Sequence, residues 1–260
     1  MKIGVIGTGN IAHYLLEAIN AAGQLDGEIT SIFGRNQEVG SSMETQYKAK
    51  FYTDFQEFLS SPIDIVVEAA TIEVAIQRMK DILESEKDLI LSSIGALKEV
   101  DFLKEMKELA RSMDRHIYLP SGAIGGLDLL QSANAVGGLK EVSITTRKSP
   151  ASLGLGSMNE EACLFDGVAQ NAIEKFPKNV NVALLLSIAG LGADQTKVRV
   201  IADPVVERNT HTIEATGDFG KMKLTIENEP MPNNPKTSYL AALSILSTLR
   251  NKGNSVIVGG

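Results

Sequence analysis

The sequence predicts an α/β fold: a doubly wound parallel sheet in the first half, followed by an α+β lobe with a mainly antiparallel sheet. Three observations lead to this prediction. Short apolar strands alternate with amphipathic helices up to residue 119, as in successive βαβ units. A glycine-rich turn connects the first strand to the first helix. After Pro120, strand-like segments follow one another, and the last two form a hairpin pattern.

The elements of the first half follow from this alternation. The predicted strands are 2–6, 28–34, 63–67, 88–92 and 116–119, and the predicted helices are 10–22, 36–48, 72–86 and 98–114. Between residues 50 and 60 the sequence indicates a short strand and a helical turn, for which Asp54 is a suitable N-cap.

In the second half, the segment from Pro120 to Asp128 is rich in small residues and opens a further helix. Predicted strands follow at 139–147, 196–202, 208–217 and 219–228, and predicted helices lie near 166–175 and 179–190. A last helix follows the segment 233–237 and runs to about Arg250.

The composition is that of an ordinary globular protein, with 43% hydrophobic and 22% charged residues. A net charge of −7 argues against nucleic-acid binding, which needs a basic surface. Cys163 is the only cysteine, so no internal disulfide can form, and a reducing cytoplasm is expected. We expect no membrane span, no signal peptide before the first strand, and no metal, since no metal-ligand spacing is present.

The first strand runs directly into Gly7-x-Gly9-x-x-Ala12. Gly7 permits the tight turn, Gly9 lets the backbone approach a pyrophosphate, and Ala12 lets the helix pack against the strand. Asn10 and Ile11 begin the helix, whose free N–H groups face the phosphates. This context is typical of a Rossmann dinucleotide-binding domain; the alternative is a strand–turn–helix without a ligand.

The second strand indicates which nucleotide is bound. An acidic residue at its end selects NAD, whereas an arginine accommodates the 2′-phosphate of NADP. Here the strand ends in Ile-Phe-Gly and continues with Arg35, with no acidic residue. The sequence therefore favours NADP or tolerance of it, unless Arg35 is simply a solvated charge.

Seven segments carry a family resemblance. They are 93–97 (SIGAL), 120–128 (PSGAIGGLD), 145–148 (TTRK), 176–183 (FPKNVNVA), 202–204 (ADP), 208–213 (RNTHTI) and 227–238, which contains Glu-Asn and Asn-Pro-Lys-Thr-Ser. In this order, over nearly the whole chain, they resemble L-aspartate dehydrogenase.

The resemblance implies a homodimer that oxidises L-aspartate to iminoaspartate with NAD or NADP, a step that can feed NAD biosynthesis. It implies a dinucleotide-binding domain at 1–119, joined by a C-terminal helix at 236–260, and a substrate and dimerisation domain at 120–235. It also implies that His211 is the active-site residue and that Ala123 and Asn181 contact the nicotinamide side of the cofactor.

The chain also carries candidate groups for the chemistry of this reaction. Oxidation of an amino acid needs a base near neutral pH, and histidine has a suitable pKa. The chain has three histidines. His13 follows the glycine-rich turn on a helix and His116 follows a charged helix, so neither is a favoured candidate. His211 lies on a predicted strand, where the other interpretation is a half-buried structural histidine.

A dicarboxylate substrate also needs fixed donors or cations in a protein of net charge −7. We rank Lys178 and Arg208 first, with Lys236 and Thr237 behind them. The strand end 145–148 adds hydroxyls and two further cations. Ser93 follows a strand end and is expected to line the nicotinamide side of the cofactor crevice.

Two other functions remain open at the level of sequence. One is another two-lobe NAD(P)-dependent reductase of a small carboxylate, similar to dihydrodipicolinate reductase or homoserine dehydrogenase. The other is a catalytically silent dinucleotide-binding protein.

Overall fold

A computed structural model describes residues 1–176, 181–232 and 234–256, with the backbone alone at 235 and 236. The chain forms two compact units, one of residues 1–120 with 242–256 and the other of residues 121–241.

The first unit contains a six-stranded parallel sheet. Its strands are β1 (Lys2–Ile6), β2 (Glu28–Phe33), β3 (Lys50–Tyr52), β4 (Ile65–Glu68), β5 (Asp88–Leu91) and β6 (Ile117–Tyr118). They lie in the order β3-β2-β1-β4-β5-β6 and all adjacent pairs are parallel. The strand order therefore reverses between β1 and β4, the point at which nucleotide ligands bind in open α/β sheets.

Five helices connect these strands: α1 (Asn10–Leu16), α2 (Gln37–Tyr47), α3 (Phe55–Ser60), α4 (Ile72–Glu84) and α5 (Val100–Ser112). Side-chain caps start three of them, because Asn36, Asp54 and Thr71 accept backbone N–H bonds from Val39, Glu57 and Val74. The expectation that Asp54 is an N-cap is confirmed.

The core of this unit explains why its strands are continuously apolar. Ile3, Val5, Ile65, Val67 and Ile90 are fully buried in one hydrophobic cluster. The alternate positions of β4 and β5 are fully buried too: Val66, Leu89 and Leu91. Strands covered by helices on both faces are buried on both sides, so they lack the alternation of a half-buried strand.

The second unit contains a five-stranded mixed sheet. Its elements are α6 (Leu127–Asn134), β7 (Leu139–Lys148), β8 (Ala162–Val168), α7 (Ala169–Lys175), α8 (Asn181–Ala189), β9 (Lys197–Ala202), β10 (Asn209–Gly217) and β11 (Gly220–Asn228). The order is β11-β10-β7-β9-β8, and only β7 and β9 pair in parallel. The predicted fold class, a Rossmann sheet followed by a mainly antiparallel α+β lobe, is confirmed.

The chain ends with a small hairpin and a long helix. The hairpin strands are β12 (Pro230–Met231) and β13 (Asn234–Ser238), and the helix is α9 (Tyr239–Gly253). Ile245, Leu246 and Leu249 of α9 belong to the hydrophobic cluster of the first unit. Near its end, Lys252 bonds Asp88 and the hydroxyl of Tyr118.

The last helix follows the segment 233–237, as predicted, but the C-terminal helix range of 236–260 begins too early. Residues 236–238 belong to β13, and the helix begins at Tyr239. Pro235 disfavours the helical conformation of the residue before it. The extended backbone continues to Ser238, which pairs with Pro230.

Two further elements differ from the prediction. The helix expected from residue 166 begins at Ala169, because 166–168 complete the edge strand β8 and pair with β9. The helix expected over 10–22 is α-helical only to Leu16 and continues as a π-helical turn, Glu17–Ala21. In that turn the Asn20 side chain bonds the backbone of Ile29 and the carbonyl of Tyr47.

Candidate active site

The glycine-rich turn leaves β1 at the carboxyl edge of the first sheet. Gly7 has φ +116°, and a Cβ there would lie 2.6 Å from the carbonyl oxygen of Ala69. At Gly9 a Cβ would meet no heavy atom within 4 Å, so the space beside it admits a pyrophosphate. Asn10 is exposed and Ile11 is half-buried, while Ala12 is fully buried against the sheet. These residues fit a dinucleotide.

Arg35 lies directly after the end of β2 and is exposed. The next residue, Asn36, caps α2. Arg35 therefore lies where the fold places the adenosine ribose, with its side chain in solvent.

A buried carboxylate lies at the same sheet edge, and the sequence analysis missed it. Glu68 is the last residue of β4 and is 0% exposed. Its Oε1 accepts bonds from the Ala70 N–H at 2.8 Å and the Ser93 hydroxyl at 3.0 Å, and its Oε2 accepts from the Ser93 N–H at 2.9 Å. Glu68 thus ties the segment after β4 to the segment after β5.

Burial raises the pKa of Glu68, and the bonds from Ser93 and Ala70 oppose that rise. Two backbone N–H donors favour the anionic form, which accepts through both oxygens. Ser93, expected beside the nicotinamide, is itself buried, and Glu68 determines its position. A single acidic residue at the end of a strand forms no sequence pattern, so the role of Glu68 could not be predicted from the sequence.

In the second unit, His211 lies on β10, opposite Thr146 of β7 and Ile226 of β11. It is 4% exposed, and its Nδ1 lies 2.9 Å from the Thr146 Oγ1. Burial lowers the pKa of His211 to about 4, and the positive charge of Lys148 contributes further. The imidazole is therefore neutral at pH 7.

Lys148 lies at the end of β7, two residues after Thr146. Because side chains two residues apart on a strand share a face, Thr146, Lys148 and His211 belong to the same side of the sheet. Burial lowers the pKa of Lys148. Thr146 and Lys148 line a pocket whose other residues, among them Phe176, Val182 and Val200, are apolar.

Asn228 holds the small-residue segment that follows Pro120. It is buried at the end of β11, and its Nδ2 donates to the Ala123 carbonyl at 3.1 Å and to the Asn209 carbonyl at 3.4 Å. The Ser238 hydroxyl donates to its Oδ1. One amide thus links Ala123, an expected cofactor contact, to the start of the His211 strand.

The four expected substrate ligands and the expected cofactor contact Asn181 lie in different surroundings. Arg208 is 45% exposed and its Nε lies 2.6 Å from the Glu229 Oε1. Thr237 lies on β13, and its Oγ1 accepts from the Asn234 amide at 2.8 Å. Lys178 lies outside the described residues, as does the side chain of Lys236 on β13. Asn181 is the exposed first residue of α8, next to the pocket residue Val182.

The other two histidines occupy different surroundings. His13 is half-buried on α1, with its ring centroid 6.3 Å from that of Tyr47. The His116 side chain is 68% exposed beside Asp88. His211 is therefore the buried member of the three.

Within the described residues, no group of three or more His, Cys, Asp or Glu side chains could hold a metal ion. None of the described helices has the length and apolarity that crossing a membrane requires. Cys163 is exposed, and its thiol donates to the Phe165 carbonyl.

The fold, the phosphate turn and the buried histidine define a dinucleotide-binding oxidoreductase of two units. Residues 128–252 match the family model for the C-terminal region of aspartate dehydrogenase, and residues 7–120 match that for the NAD-binding domain of homoserine dehydrogenase. The chain is 38% identical to an L-aspartate dehydrogenase of Methanospirillum hungatei over 100% of this chain and 99% of that protein.

A second curated relative, the L-aspartate dehydrogenase of Archaeoglobus fulgidus, is 39% identical over 99% of this chain and 100% of that protein. The crystal structure of aspartate dehydrogenase from Thermotoga maritima superposes with a TM-score of 0.81 at 29% identity, covering 100% of this chain and 99% of that one. The chain belongs to the aspartate dehydrogenase family, and the resemblance inferred from its motifs is confirmed.

Proposed function

We propose that the protein oxidises L-aspartate to iminoaspartate with NAD or NADP. The observation that carries this proposal is the full-length similarity to L-aspartate dehydrogenases, together with a phosphate turn whose geometry fits a dinucleotide. Water then converts the imine to oxaloacetate and ammonia. A role in NAD biosynthesis fits this product.

The reaction removes a hydride from Cα and a proton from the substrate nitrogen. The nicotinamide, when bound, accepts the hydride. His211 is the proposed base: its neutral imidazole accepts the proton that the ammonium group must lose. The bond between Nδ1 and Thr146 fixes the ring, which assigns the substrate to the other nitrogen, Nε2.

The other roles belong to the same proposal. Gly7, Gly9, Asn10 and Ile11 bind the pyrophosphate, and Ser93, Ala123 and Asn181 contact the nicotinamide side. Arg208, Lys178, Lys236 and Thr237 are candidate substrate ligands. Arg208 would exchange Glu229 for a substrate carboxylate, since its present ion pair is exposed.

We further propose that residues 1–119, joined by the C-terminal helix, bind the dinucleotide and that residues 120–235 bind the substrate and form the dimer interface. We propose a homodimer in the cytoplasm, with no nucleic-acid partner. Size-exclusion chromatography with light scattering tests the dimer, for which a monomeric mass would be the contrary result.

The test of the activity is the appearance of reduced nicotinamide when the protein is mixed with NAD or NADP and a panel of L-amino acids. Reduction specific to L-aspartate is expected. Turnover of other carboxylates only would favour the reductase alternative, and cofactor binding without any turnover would favour the silent one.

The nucleotide preference has its own test. If Arg35 binds a 2′-phosphate, Arg35→Ala weakens NADP binding by about tenfold and leaves NAD binding unchanged. Lys48→Ala is a control, since Lys48 is an exposed cation at the far end of α2. Unchanged NADP affinity in Arg35→Ala would remove Arg35 from the cofactor site.

A further inference from the structure

Asn228 is a buried amide whose side-chain bonds reach three different segments of the second unit. Its Nδ2 donates to the Ala123 carbonyl at 3.1 Å and to the Asn209 carbonyl at 3.4 Å, and its Oδ1 accepts from the Ser238 hydroxyl. Only 4% of the residue is exposed. Both amide protons and the amide oxygen are therefore used inside the fold.

Each of these three segments carries a residue of the proposed site. Ala123 is the expected contact of the nicotinamide side. Asn209 follows Arg208, a candidate substrate ligand, in the chain. Ser238 follows Thr237, another candidate ligand. One side chain thus joins the segment proposed for the cofactor to two segments proposed for the substrate.

The segment that contains Ala123 depends on its neighbours for its position. Residues 121–126 form no helix or strand. Ile124 is buried, and a Cβ at Gly125 would lie 3.4 Å from the Leu224 Cδ2 of β11. These apolar contacts seat the segment on β11, and the bond from Asn228 fixes the direction of the Ala123 carbonyl. Ala123 itself is half-buried, so part of its surface can contact a ligand.

We propose that Asn228 is a positioning residue, which holds the Ala123 peptide in the orientation that receives the nicotinamide side of the cofactor. This inference rests on the proposed function, in which Ala123 contacts that part of NAD or NADP. Asn228 acts through the Ala123 peptide, because its own polar atoms are bonded within the fold. A shift of about 1 Å in a group that contacts a ligand is enough to impair the site.

The pattern of bonds explains why this position needs an amide. Aspartate has the shape of asparagine, but its carboxylate has no proton to donate and would face two carbonyl oxygens. Asn228→Asp therefore breaks the bonds to Ala123 and Asn209 and keeps an acceptor for Ser238. Asn228→Ser breaks the same two bonds without adding a charge, because its side chain is too short to reach both carbonyls.

The test compares the binding of NADH with that of ADP-ribose, which lacks the nicotinamide. In Asn228→Asp we expect the affinity for NADH to fall about tenfold, the effect of losing one buried hydrogen bond. The affinity for ADP-ribose should stay within about twofold of wild type. Titration calorimetry measures both affinities. Unchanged NADH affinity, or equal losses for the two ligands, would overturn the proposal. If Asn228→Asp does not fold, Asn228→Ser is measured with the same expectations and the same contrary outcomes.

Asn134 provides a matched control for a role in stability alone. Its Nδ2 donates to the Gly190 carbonyl at 2.9 Å, a bond that also joins distant parts of the second unit. Neither residue belongs to the proposed site. Asn134→Asp should lower the urea midpoint of unfolding and leave both affinities within about twofold of wild type. The same selective loss of NADH affinity in Asn134→Asp would make it a general effect of destabilisation, and the proposal would fail.

These measurements need no turnover, so they separate the two proposals. A protein that does not oxidise L-aspartate, but loses NADH affinity selectively in Asn228→Asp, would lose the proposed activity and keep the positioning role. A protein that oxidises L-aspartate, and whose Asn228→Asp variant binds NADH as wild type does, would keep the activity and lose the positioning role.

Discussion

His211 must satisfy two opposed requirements. A base must be neutral before it can accept a proton, and burial on β10 beside Lys148 ensures this. The same surroundings make the neutral ring a weak base, because they disfavour the imidazolium that forms. Pre-positioning of the ring by Thr146 would compensate for part of this weakness.

Replacement of His211 by Gln should separate turnover from cofactor binding. Gln keeps a polar group near Thr146 but cannot act as a base, so kcat for L-aspartate should fall by about a hundredfold or more. The affinity for NADH, measured by fluorescence titration, should stay within about twofold. His13→Gln, at a half-buried position of α1, should retain wild-type turnover. Wild-type kcat in His211→Gln would exclude His211 as the base.

Glu68 should matter for stability and for cofactor binding at the same time. Glu68→Gln places an amide N–H against one of the donors from Ser93 or Ala70, and an unsatisfied buried donor costs about 2 kcal/mol. Unfolding in urea should show that loss, and NADH affinity should fall because Ser93 shifts. Ser93→Ala removes only the hydroxyl and should have the smaller effect on both. Equal stability of Glu68→Gln and wild type would show that the carboxylate does not hold these segments.

At the scale of elements, the turn after β1 offers a matched pair of glycines. Gly7→Ala forces a side chain into φ +116° and against the Ala69 carbonyl, so it should destabilise the fold by roughly 2 kcal/mol or more. Gly9→Ala has open space and φ −89°, so its stability should stay within about 0.5 kcal/mol of wild type. Its affinity for NADH should nevertheless fall, since the methyl group occupies the path of the pyrophosphate.

Urea unfolding and NADH titration measure the two effects separately. Gly7→Ala is expected to lose stability, and Gly9→Ala is expected to lose affinity. If Gly9→Ala bound NADH as wild type does, the pyrophosphate would not pass beside Gly9.

The elements that could be predicted are those with a local cause. The strands of the first sheet are continuous apolar runs, and Asn36, Asp54 and Thr71 give their helices local start signals. The hairpin of β10 and β11 follows from a turn between two alternating segments. The local sequence pattern does not predict an element whose structure depends on pairing with a distant segment. An example is β8, which is a strand because it pairs with β9.

The candidate site divides in the same way. Gly7 and Gly9 could be predicted because the dinucleotide-binding motif that contains them spans only six residues of the chain. His211 stood out because it is one of only three histidines and lies in a family motif. Glu68 gave no such signal, since Ser93, which binds both of its oxygens, is 25 residues away in the chain. Asn228 lies in a family segment, but its bond to the Ala123 carbonyl spans 105 residues and could not be predicted. Within each unit, the register of the sheet brings such a group to its distant partner.

At the scale of the whole molecule, buried titratable groups couple the fold to pH. Burial raises the pKa of Asp88, but bonds from Lys252 and the His116 N–H outweigh it and hold that pKa below its ordinary value. Asp88 therefore stabilises the fold above its unfolded pKa of about 3.8 and loses that effect in more acidic solution. Glu68, with a raised pKa, acts in the opposite direction. The contribution of one group to the pH dependence of stability must therefore be measured by comparing a variant with the wild-type protein, not from the wild-type protein alone.

His211 should dominate the loss of stability in mildly acidic solution. Its pKa is about 4 in the fold against 6.5 as a free side chain, so the unfolded chain binds the extra proton between these values. Stability contributed by the neutral ring is fully present above pH 6.5 and is lost as the pH falls through 4, by about 3 kcal/mol in total. Urea unfolding at pH 4.5 and pH 7.5 measures this loss. His211→Gln should lose less stability between the two pH values than wild type, whereas His13→Gln should follow wild type; equal losses in all three proteins would contradict a buried neutral His211.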